Sequence, residues 1–346
     1  MTGEPESFNR ILVTRFHLIG DVLLVAPLLQ ILRRTFPRCY LALLTDGLAA
    51  ELMRGHPALD ELMVYNTAFG PQKWTIADLT RHLQILRWAR MRKFDLAINL
   101  QPGKRSEVVT RWTGAKCRVG FERSGQNESD YTVKVKDIWD ERYRADQMLD
   151  TIRAVGIEAE VELPAIGLSE EDRRSVRAYA DGIEGPLVVM HAPSSMPEKL
   201  WPRERFAELA DTLVSRYGAR IAYTGSKSES EYVDSIISMM HSPCVSVAGK
   251  LNLRQLAALI ERADLLIGVD SCPTHIASAV GTPSITLFGP SPPEVWNPPG
   301  GLHVAIRKLP GDCDCRPPHC NPRDSRCMEN IGADDVLTHV EKILSK

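Results

Sequence analysis

The amino-acid sequence predicts an α/β protein built from two Rossmann-like domains, and three observations support this prediction. Short apolar runs of strand length alternate with stretches of helical length along the whole chain. The 346 residues exceed the usual size of a single domain. The first strand, at 10–14, leads through a turn that contains Gly20 directly into a helix, which is how a doubly wound sheet begins.

The same strand-helix alternation runs through both halves of the chain. In the first half we predict strands at 10–14, 40–44, 61–65, 95–100 and 118–121, and helices at 22–34, 46–53, 79–93 and 142–155. In the second half we predict strands at 187–190, 219–223, 245–247, 264–269 and 284–288, and helices at 170–180, 202–217, 229–239, 253–261 and 333–346. Pro164 and Gly167 interrupt the pattern between the halves. We therefore place an N-terminal domain at 1–165, a C-terminal domain at 166–332 and a terminal helix at 333–346.

Composition excludes several classes of protein. Charged residues make up 25% and hydrophobic residues 44%, as in ordinary globular proteins. A net charge of −2 gives no reason to expect a nucleic-acid partner. No apolar run approaches the roughly 20 residues of a membrane span, and the first ten residues lack the pattern of a secretory signal. We expect a cytoplasmic protein without a transmembrane segment.

The stretch from Gly268 to Pro290, GVDSCPTHIASAVGTPSITLFGP, carries the strongest functional pattern. A buried strand ends there, polarity changes at Asp270 and Ser271, and Pro273 stands in the first turn of a short helix. Ligands of open α/β sheets bind beyond the carboxyl ends of the strands, and a helix N-terminus offers free N–H groups to phosphate. We expect Asp270, Ser271, Thr274 and His275 to face such a crevice.

Two motifs resemble one enzyme family. The pattern D-S-x-x-x-H-x-A from Asp270, followed by G-T-P and L-F-G-P, resembles the C-terminal signature of the family 9 glycosyltransferases, the heptosyltransferases of lipopolysaccharide core assembly. The segment H-L-I-G-D-V-L-L-V-A-P-L from His17 resembles the family's N-terminal motif. The resemblance extends over about residues 10 to 331.

This resemblance implies a GT-B architecture, in which two Rossmann-like domains face an interdomain crevice. It also implies an inverting transferase that moves heptose from ADP-heptose to the lipid A inner core at the cytoplasmic face of the inner membrane, as a cytoplasmic or peripheral enzyme. No cofactor is expected, because ADP-heptose is itself the donor substrate.

Two residues are the candidates for catalysis. The resemblance implies that Asp21 is the general base, whereas an Asp before a helix is also a common N-cap. Lys199 lies in K-x-W-P, followed by Arg205 and Phe206, which resembles the segment that contacts the donor pyrophosphate. A lysine charge suits the negative charge that develops on a leaving diphosphate, although a solvated surface lysine is the ordinary alternative.

The remaining donor-binding candidates follow strand ends or begin helices in the second half. Glu229 matches the position that binds the adenosine ribose, although a glutamate there is also favoured by the helix dipole. By the same resemblance, Gly249-Lys250-Leu251 matches a turn of the family that lies along the nucleotide, and Cys272 stands where relatives often have Gly or Ala. The donor-binding set is Ser194, Ser195, Lys199, Glu229, Leu251, Asp270, Ser271, Cys272, Thr274 and His275.

The acceptor candidates lie in the first half. Gln101, Lys104 and Arg105 follow a strand end, and with Arg15 and His17 they would meet an anionic acceptor. The alternative for each is solvation at the surface. The basic residues from 87 to 93 suit either an anionic bilayer or, as the ordinary case, a solvated helix face.

Four cysteines are clustered near the C-terminus, with a histidine among them: Cys313, Cys315, Cys320, Cys327 and His319. They lack the paired C-x₂-C spacing of common zinc sites, so we expect no catalytic metal. Three other functions stay open at this point: transfer of another sugar, non-catalytic sugar-nucleotide binding, and nicotinamide-dependent oxidoreduction. The last needs a G-x-G-x-x-G turn after the first strand, where this chain has only Gly20.

Overall fold

The computed structural model describes residues 7–66, 75–101, 103–122, 130–136, 140–180, 184–311 and 326–345. The chain divides into two compact units, Met1–Gly167 and Leu168–Lys346. Within the described residues each unit is built on one six-stranded sheet. The strands of both sheets pair in parallel throughout.

Strands and helices alternate in the first unit. The strands are β1 Arg10–Thr14, β2 Tyr40–Thr45, β3 Glu61–Val64, β4 Leu96–Asn99, β5 Cys117–Glu122 and β6 Val133–Lys136. The helices are α1 Ile19–Leu23, α2 Ala26–Thr35, α3 Gly47–Met53, α4 Ile76–Met91, α5 Lys104–Trp112 and α6 Arg144–Arg153.

The order of the strands in this sheet is β3-β2-β1-β4-β5-β6. From β1 the chain adds strands in one direction to β3, and it then returns to place β4 on the other side of β1. The crevice between the carboxyl ends of β1 and β4 is therefore the topological switch point, where doubly wound folds bind ligands.

The second unit repeats this plan. Its strands are β7 Leu187–His191, β8 Arg220–Thr224, β9 Val245–Ser246, β10 Leu265–Val269, β11 Ser284–Phe288 and β12 His303–Arg307. Its helices are α7 Glu170–Ser175, α8 Arg177–Ala180, α9 Arg203–Tyr217, α10 Ser230–Ile237, α11 Leu253–Arg262, α12 Cys272–Val280, α13 Pro293–Trp296, α14 Arg326–Glu329 and α15 Ala333–Leu344.

The strand order here is β12-β11-β10-β7-β8-β9, which is the order of the first sheet in its own numbering. The switch point of the second unit therefore lies between β7 and β10. Two parallel sheets of this order confirm the predicted α/β class with two Rossmann-like folds.

The core of the second unit also fixes the C-terminal helix. Trp201 is fully buried, and its indole Nε1 donates to the carbonyl of Ile331 at 2.9 Å. Val336 and Val340 of α15 belong to the same buried cluster. The helix that we separated as 333–346 therefore packs on the second unit.

Some elements differ from the sequence prediction. The helix predicted at 22–34 is wrong as a single element: α1 ends at Leu23 and α2 starts at Ala26, with Pro27 at its second position. Proline has no N–H to donate and clashes with the preceding turn, so one continuous helix cannot form. The prediction at 170–180 likewise becomes two short helices. The helices α5, α13 and α14 and the strands β6 and β12 were not predicted.

No helix in the described ranges is both long and apolar enough to cross a membrane.

Candidate active site

A buried ion pair joins the two sides of the switch point in the second unit. Lys199 lies in a 3-10 turn after β7, and Asp270 directly follows β10. The lysine Nζ lies 2.6 Å from Asp270 Oδ2, and the side chains are only 15% and 7% exposed. Lys199 is therefore not the solvated surface lysine that the sequence left as an alternative.

Beside this pair, α12 begins without a side-chain cap. Its N-cap residue Ser271 has extended backbone, and the serine hydroxyl donates to the carbonyl of Val269 at 3.0 Å instead of capping the helix. Thr274 is 2% exposed, and within the described part of the chain its hydroxyl has no hydrogen-bond partner. Buried hydroxyls are normally paired, so this geometry suits an external acceptor such as a phosphate oxygen. His275 is buried next to it in the same turn.

Cys272 occupies the first position of α12. Burial raises the pKa of its thiol to about 12, so the thiol is protonated and neutral near pH 7. A neutral thiol does not repel an anion at this helix end. The residue keeps some exposed surface and is larger than the glycine or alanine expected at this position.

Polar residues also lie at the carboxyl ends of β7 and of its neighbour β8. His191, the last residue of β7, places Nδ1 2.9 Å from the hydroxyl of Thr224 at the end of β8. Burial lowers the pKa of His191 to about 4, and the nearby Glu229 carboxylate opposes that change only in part. Glu229 Oε2 accepts from the N–H of Ser226 at 2.7 Å in a capping box. The alternative for Glu229, a local role at the start of a helix, is therefore present, and its contact with a ribose stays a prediction.

The other donor candidates lie at the same edge of the sheet, because they follow carboxyl ends of parallel strands. Ser194 Oγ accepts from the N–H of Met196 at 3.1 Å, and Ser195 is exposed. Leu251 is half-buried after a turn in which Gly249 has a φ of +70° and donates to the carbonyl of Gly225.

The switch point of the first unit holds a second ion pair. Arg15 Nη2 lies 2.5 Å from Asp21 Oδ2, and the side chains are 8% and 13% exposed. Arg15 Nη1 also donates to the carbonyl of Leu100 beyond β4 at 2.6 Å. Asp21 is the third residue of α1, whose N-cap is Leu18, so the N-cap alternative for Asp21 is wrong.

The turn that carries Asp21 has a strained backbone. His17 and Leu18 have φ of +61° and +42°, the left-handed region that non-glycine residues rarely adopt. The N–H of His17 donates to Asp46 Oδ2 at 2.7 Å, and Gln101 Oε1 accepts from the N–H of Phe16 at 3.0 Å. Strain of this kind clusters at functional sites, where surrounding contacts maintain it.

The acceptor candidates have different environments. Lys104 is exposed at the start of α5, and Arg105 is half-buried beside it. Arg15 is buried and bonded to Asp21, so it orients the carboxylate.

The sequence analysis did not include two residues of the candidate site: Asp46, which accepts a hydrogen bond from the turn that carries Asp21, and His191. The usable signals were an acidic residue before a helix and a histidine that ends a buried strand.

The cysteine cluster cannot be placed as a whole. Cys313, Cys315, Cys320 and His319 lie outside the described residues, and Cys327 is buried in α14. The described residues contain no group of three potential metal ligands.

Two Rossmann-like units are the architecture of GT-B glycosyltransferases, and comparison with known proteins identifies the family. The sequence model of Glycosyltransferase family 9 (heptosyltransferase) matches residues 82–316. The chain belongs to this family and is a glycosyltransferase, which excludes the oxidoreductase alternative.

Individual relatives agree with this assignment. Lipopolysaccharide heptosyltransferase 3 of Escherichia coli K12 is 26% identical over 347 residues, covering 95% of this chain and 96% of that protein. The glycosyl transferase family 9 structure from Veillonella parvula superposes with a TM-score of 0.86 at 23% identity, covering 100% of this chain and 99% of that one. The E. coli heptosyltransferase WaaC with ADP gives a TM-score of 0.75 at 17% identity, covering 96% and 99%.

Proposed function

We propose that this protein transfers heptose from ADP-heptose to the inner core of lipopolysaccharide with inversion of the anomeric centre. Membership of the heptosyltransferase family supports the reaction class, and a similar solved structure is described as binding ADP. The observation that carries the proposal is the edge of the sheet between β7 and β10, where the buried pair of Lys199 and Asp270 directly precedes the uncapped start of α12 with the buried hydroxyl of Thr274.

The donor binds to the second unit in this proposal. The diphosphate lies at the start of α12, where Ser271, Thr274 and His275 surround it and the neutral Cys272 tolerates its charge. Lys199 is drawn from Asp270 toward the departing ADP, whose negative charge grows as the glycosidic bond breaks. The remaining donor contacts are with Ser194, Ser195, Glu229 and Leu251. No further cofactor takes part.

Asp21 is the general base. An acceptor hydroxyl oxygen attacks the anomeric carbon while its proton passes to a carboxylate oxygen of Asp21. The bond from that carbon to the ADP oxygen breaks, and its electron pair leaves with ADP. A single displacement inverts the configuration. Arg15 contacts Oδ2, and no described residue hydrogen-bonds Oδ1, so that oxygen remains accessible to the hydroxyl proton.

The first unit binds the acceptor. Gln101, Lys104 and Arg105 follow β4 beside the Asp21 turn, and cationic side chains suit the phosphates of a lipid A core. Arg15 and His17 complete this set by shaping the turn. The acceptor is a membrane lipid, so the enzyme works at the cytoplasmic face of the inner membrane.

A transfer assay tests the function. The purified protein is incubated with ADP-heptose and a heptose-deficient core acceptor, and mass spectrometry follows the acceptor. We expect a gain of one heptosyl residue that requires ADP-heptose, with the inverted anomeric configuration by NMR. Transfer only from another nucleotide sugar would contradict the donor assignment. ADP binding without transfer from any donor would identify a non-catalytic binder.

A further inference from the structure

The outer face of two neighbouring helices in the first unit is both apolar and basic. We call it the α4–α5 face, because α4 and α5 pack side by side and share it. These helices contribute six of the fifteen large apolar side chains that are exposed among the described residues. The six are Ile76 (86% exposed), Leu79 (50%), Leu83 (56%), Met91 (67%), Val108 (43%) and Trp112 (52%).

Helical geometry brings these side chains to one surface. Ile76, Leu79 and Leu83 follow the three- and four-residue spacing of a single helix face, and Val108 and Trp112 do the same on α5. The opposite side of α4 buries Ile85 and Ala89 against the sheet. The exposed apolar residues therefore form a second apolar side of α4 that the described residues of this unit do not cover.

The same face is strongly cationic. The two helices carry six Arg and Lys residues against two acidic residues, in a chain whose net charge is −2. Of the acidic residues, Glu107 is buried and Asp78 is bound to Thr75 in the cap of α4. Arg87 and Arg90 are exposed, and neither has an ion pair with a described residue. Their charges are therefore available to an external anion.

A groove of about 790 Å³ extends this face at the C-terminal ends of both helices. Its cations are Arg90, Lys93 and Lys116, and its hydroxyls come from Ser7, Thr113 and Thr132. Lys93 has a φ of +53°, a conformation that normally favours glycine. The lining carboxylate of Asp95 is already occupied, since its two oxygens accept from the N–H groups of Asn9 and Arg10.

We propose that the α4–α5 face docks the protein on an anionic phospholipid bilayer. The exposed apolar side chains enter the region between headgroups and acyl chains, and the flanking Arg and Lys residues pair with lipid phosphates. The groove accepts a headgroup phosphate. A second copy of this chain would place like charges opposite each other, whereas a bilayer of anionic lipid matches both the apolar side chains and the positive charges.

The proposal rests on the proposed function in one respect, which is the lipid nature of the acceptor. Helix α5 begins at Lys104, an acceptor candidate, so docking along this helix brings the acceptor's lipid phosphates to the residues that follow β4. Binding to a bilayer can nevertheless be measured without any transfer reaction.

Vesicle flotation tests the docking directly. The full-length protein is mixed with vesicles of phosphatidylglycerol and phosphatidylethanolamine, or of phosphatidylcholine alone. One double variant carries both Arg87→Glu and Arg90→Glu. Its control carries Arg174→Glu and Lys342→Glu in the second unit, which change the net charge by the same amount. A second double variant, with Leu79→Ser and Leu83→Ser, removes apolar surface from the α4–α5 face. Its control carries Leu302→Ser and Leu309→Ser, at two leucines that are exposed in the second unit.

Wild type is expected to float with anionic vesicles and not with neutral ones, and to dissociate as salt is raised. Each basic residue at the surface contributes about fivefold to partitioning, so the charge reversal lowers it at least about 20-fold. The apolar variant also lowers it, and both controls bind like wild type. Far-UV circular dichroism and a cooperative thermal unfolding transition for each variant verify that the protein is folded.

Three results would overturn the proposal. The first is the absence of flotation by wild type, and the second is an equal loss in the controls and the face variants. The third is a dimer in light scattering that the double variant Leu79→Ser with Leu83→Ser dissociates, which would assign the face to a second copy of this chain.

Transfer to a water-soluble, deacylated acceptor separates the docking proposal from the proposed function. If the heptosyltransferase assignment is right, the face variants still transfer heptose to this acceptor. If that assignment fails, neither wild type nor any variant transfers heptose to it.

Discussion

At the scale of single residues, the pair of Lys199 and Asp270 combines a structural role with a proposed catalytic one. Both side chains are largely buried, so removing one partner leaves a charge without compensation. Loss of stability and loss of catalysis must therefore be separated when this site is changed.

We predict that Lys199→Met lowers turnover more than it lowers affinity for the ADP-sugar, because the charge that Lys199 meets grows in the transition state. The same change should cost about 3 kcal/mol of unfolding free energy, since Asp270 is left buried and unpaired. Steady-state kinetics and urea unfolding measure the two effects.

The double variant Lys199→Met with Asp270→Asn is the control for this prediction. It removes the unpaired charge, so stability should recover while turnover stays low. Recovery of turnover together with stability would mean that Lys199 acts only on the fold.

At the scale of elements, the start of α12, where we propose that the donor diphosphate binds, lacks contacts that would stabilise the free protein. A helix whose N-cap side chain bonds elsewhere, followed by a buried hydroxyl without a described partner, is less stable than a capped and paired one. This is the usual relation between a binding site and the stability of its fold.

Thr274→Val should therefore stabilise the ligand-free protein by about 1 kcal/mol, because the buried hydroxyl is replaced by a methyl group of similar size. The same variant should bind ADP about 10-fold more weakly, as a hydrogen bond to a charged phosphate is lost. Thermal unfolding and calorimetric titration test the two halves of the prediction.

Thr286→Val on β11 is the matched control, since this hydroxyl is also buried without a partner in the described residues. It should stabilise the protein without changing ADP affinity. An equal loss of ADP affinity in both variants would contradict a specific contact with Thr274.

The elements also indicate what a sequence can reveal. Buried parallel strands such as β7 and β10 are short apolar runs that end in polar residues, so their positions were predictable, and the candidate site beyond them stays a prediction. Helix α5 was missed because its nine residues, KRSEVVTRW, contain few apolar residues. The strand β6, VKVK, is too short to stand out beside its turns.

The detail of the Asp21 turn was beyond prediction for a different reason. The contact of Arg15 with Asp21 depends on left-handed backbone at His17 and Leu18, and no propensity rule places those residues there. Tertiary contacts such as the bond from the His17 N–H to Asp46 maintain that conformation.

At the scale of the whole molecule, three buried histidines make stability depend on pH. Burial lowers the pKa of His56, His191 and His303 to about 4 each, from an ordinary value of 6.5. The native protein keeps them neutral, whereas the unfolded chain protonates them as pH falls below about 6.5. Their contribution to stability is thus complete above that pH and is lost between about 6.5 and 4.

Urea unfolding should show this loss. At pH 5 the free energy of unfolding should be lower than at pH 7 by on the order of 2 kcal/mol per histidine. His303→Gln should reduce the difference, because one of the three groups no longer titrates. A free energy of unfolding that does not change between pH 7 and pH 5 would contradict neutral buried histidines.

Asp21→Asn tests the central claim most directly. The amide cannot take a proton, so we predict that heptose transfer falls by about 10²- to 10⁴-fold. ADP binding should be unchanged, because the proposed donor site belongs to the second unit and Asp21 to the first. Asp234→Asn, an exposed change on α10, serves as the control and should behave like wild type. Retained transfer by Asp21→Asn would contradict the assignment of the base.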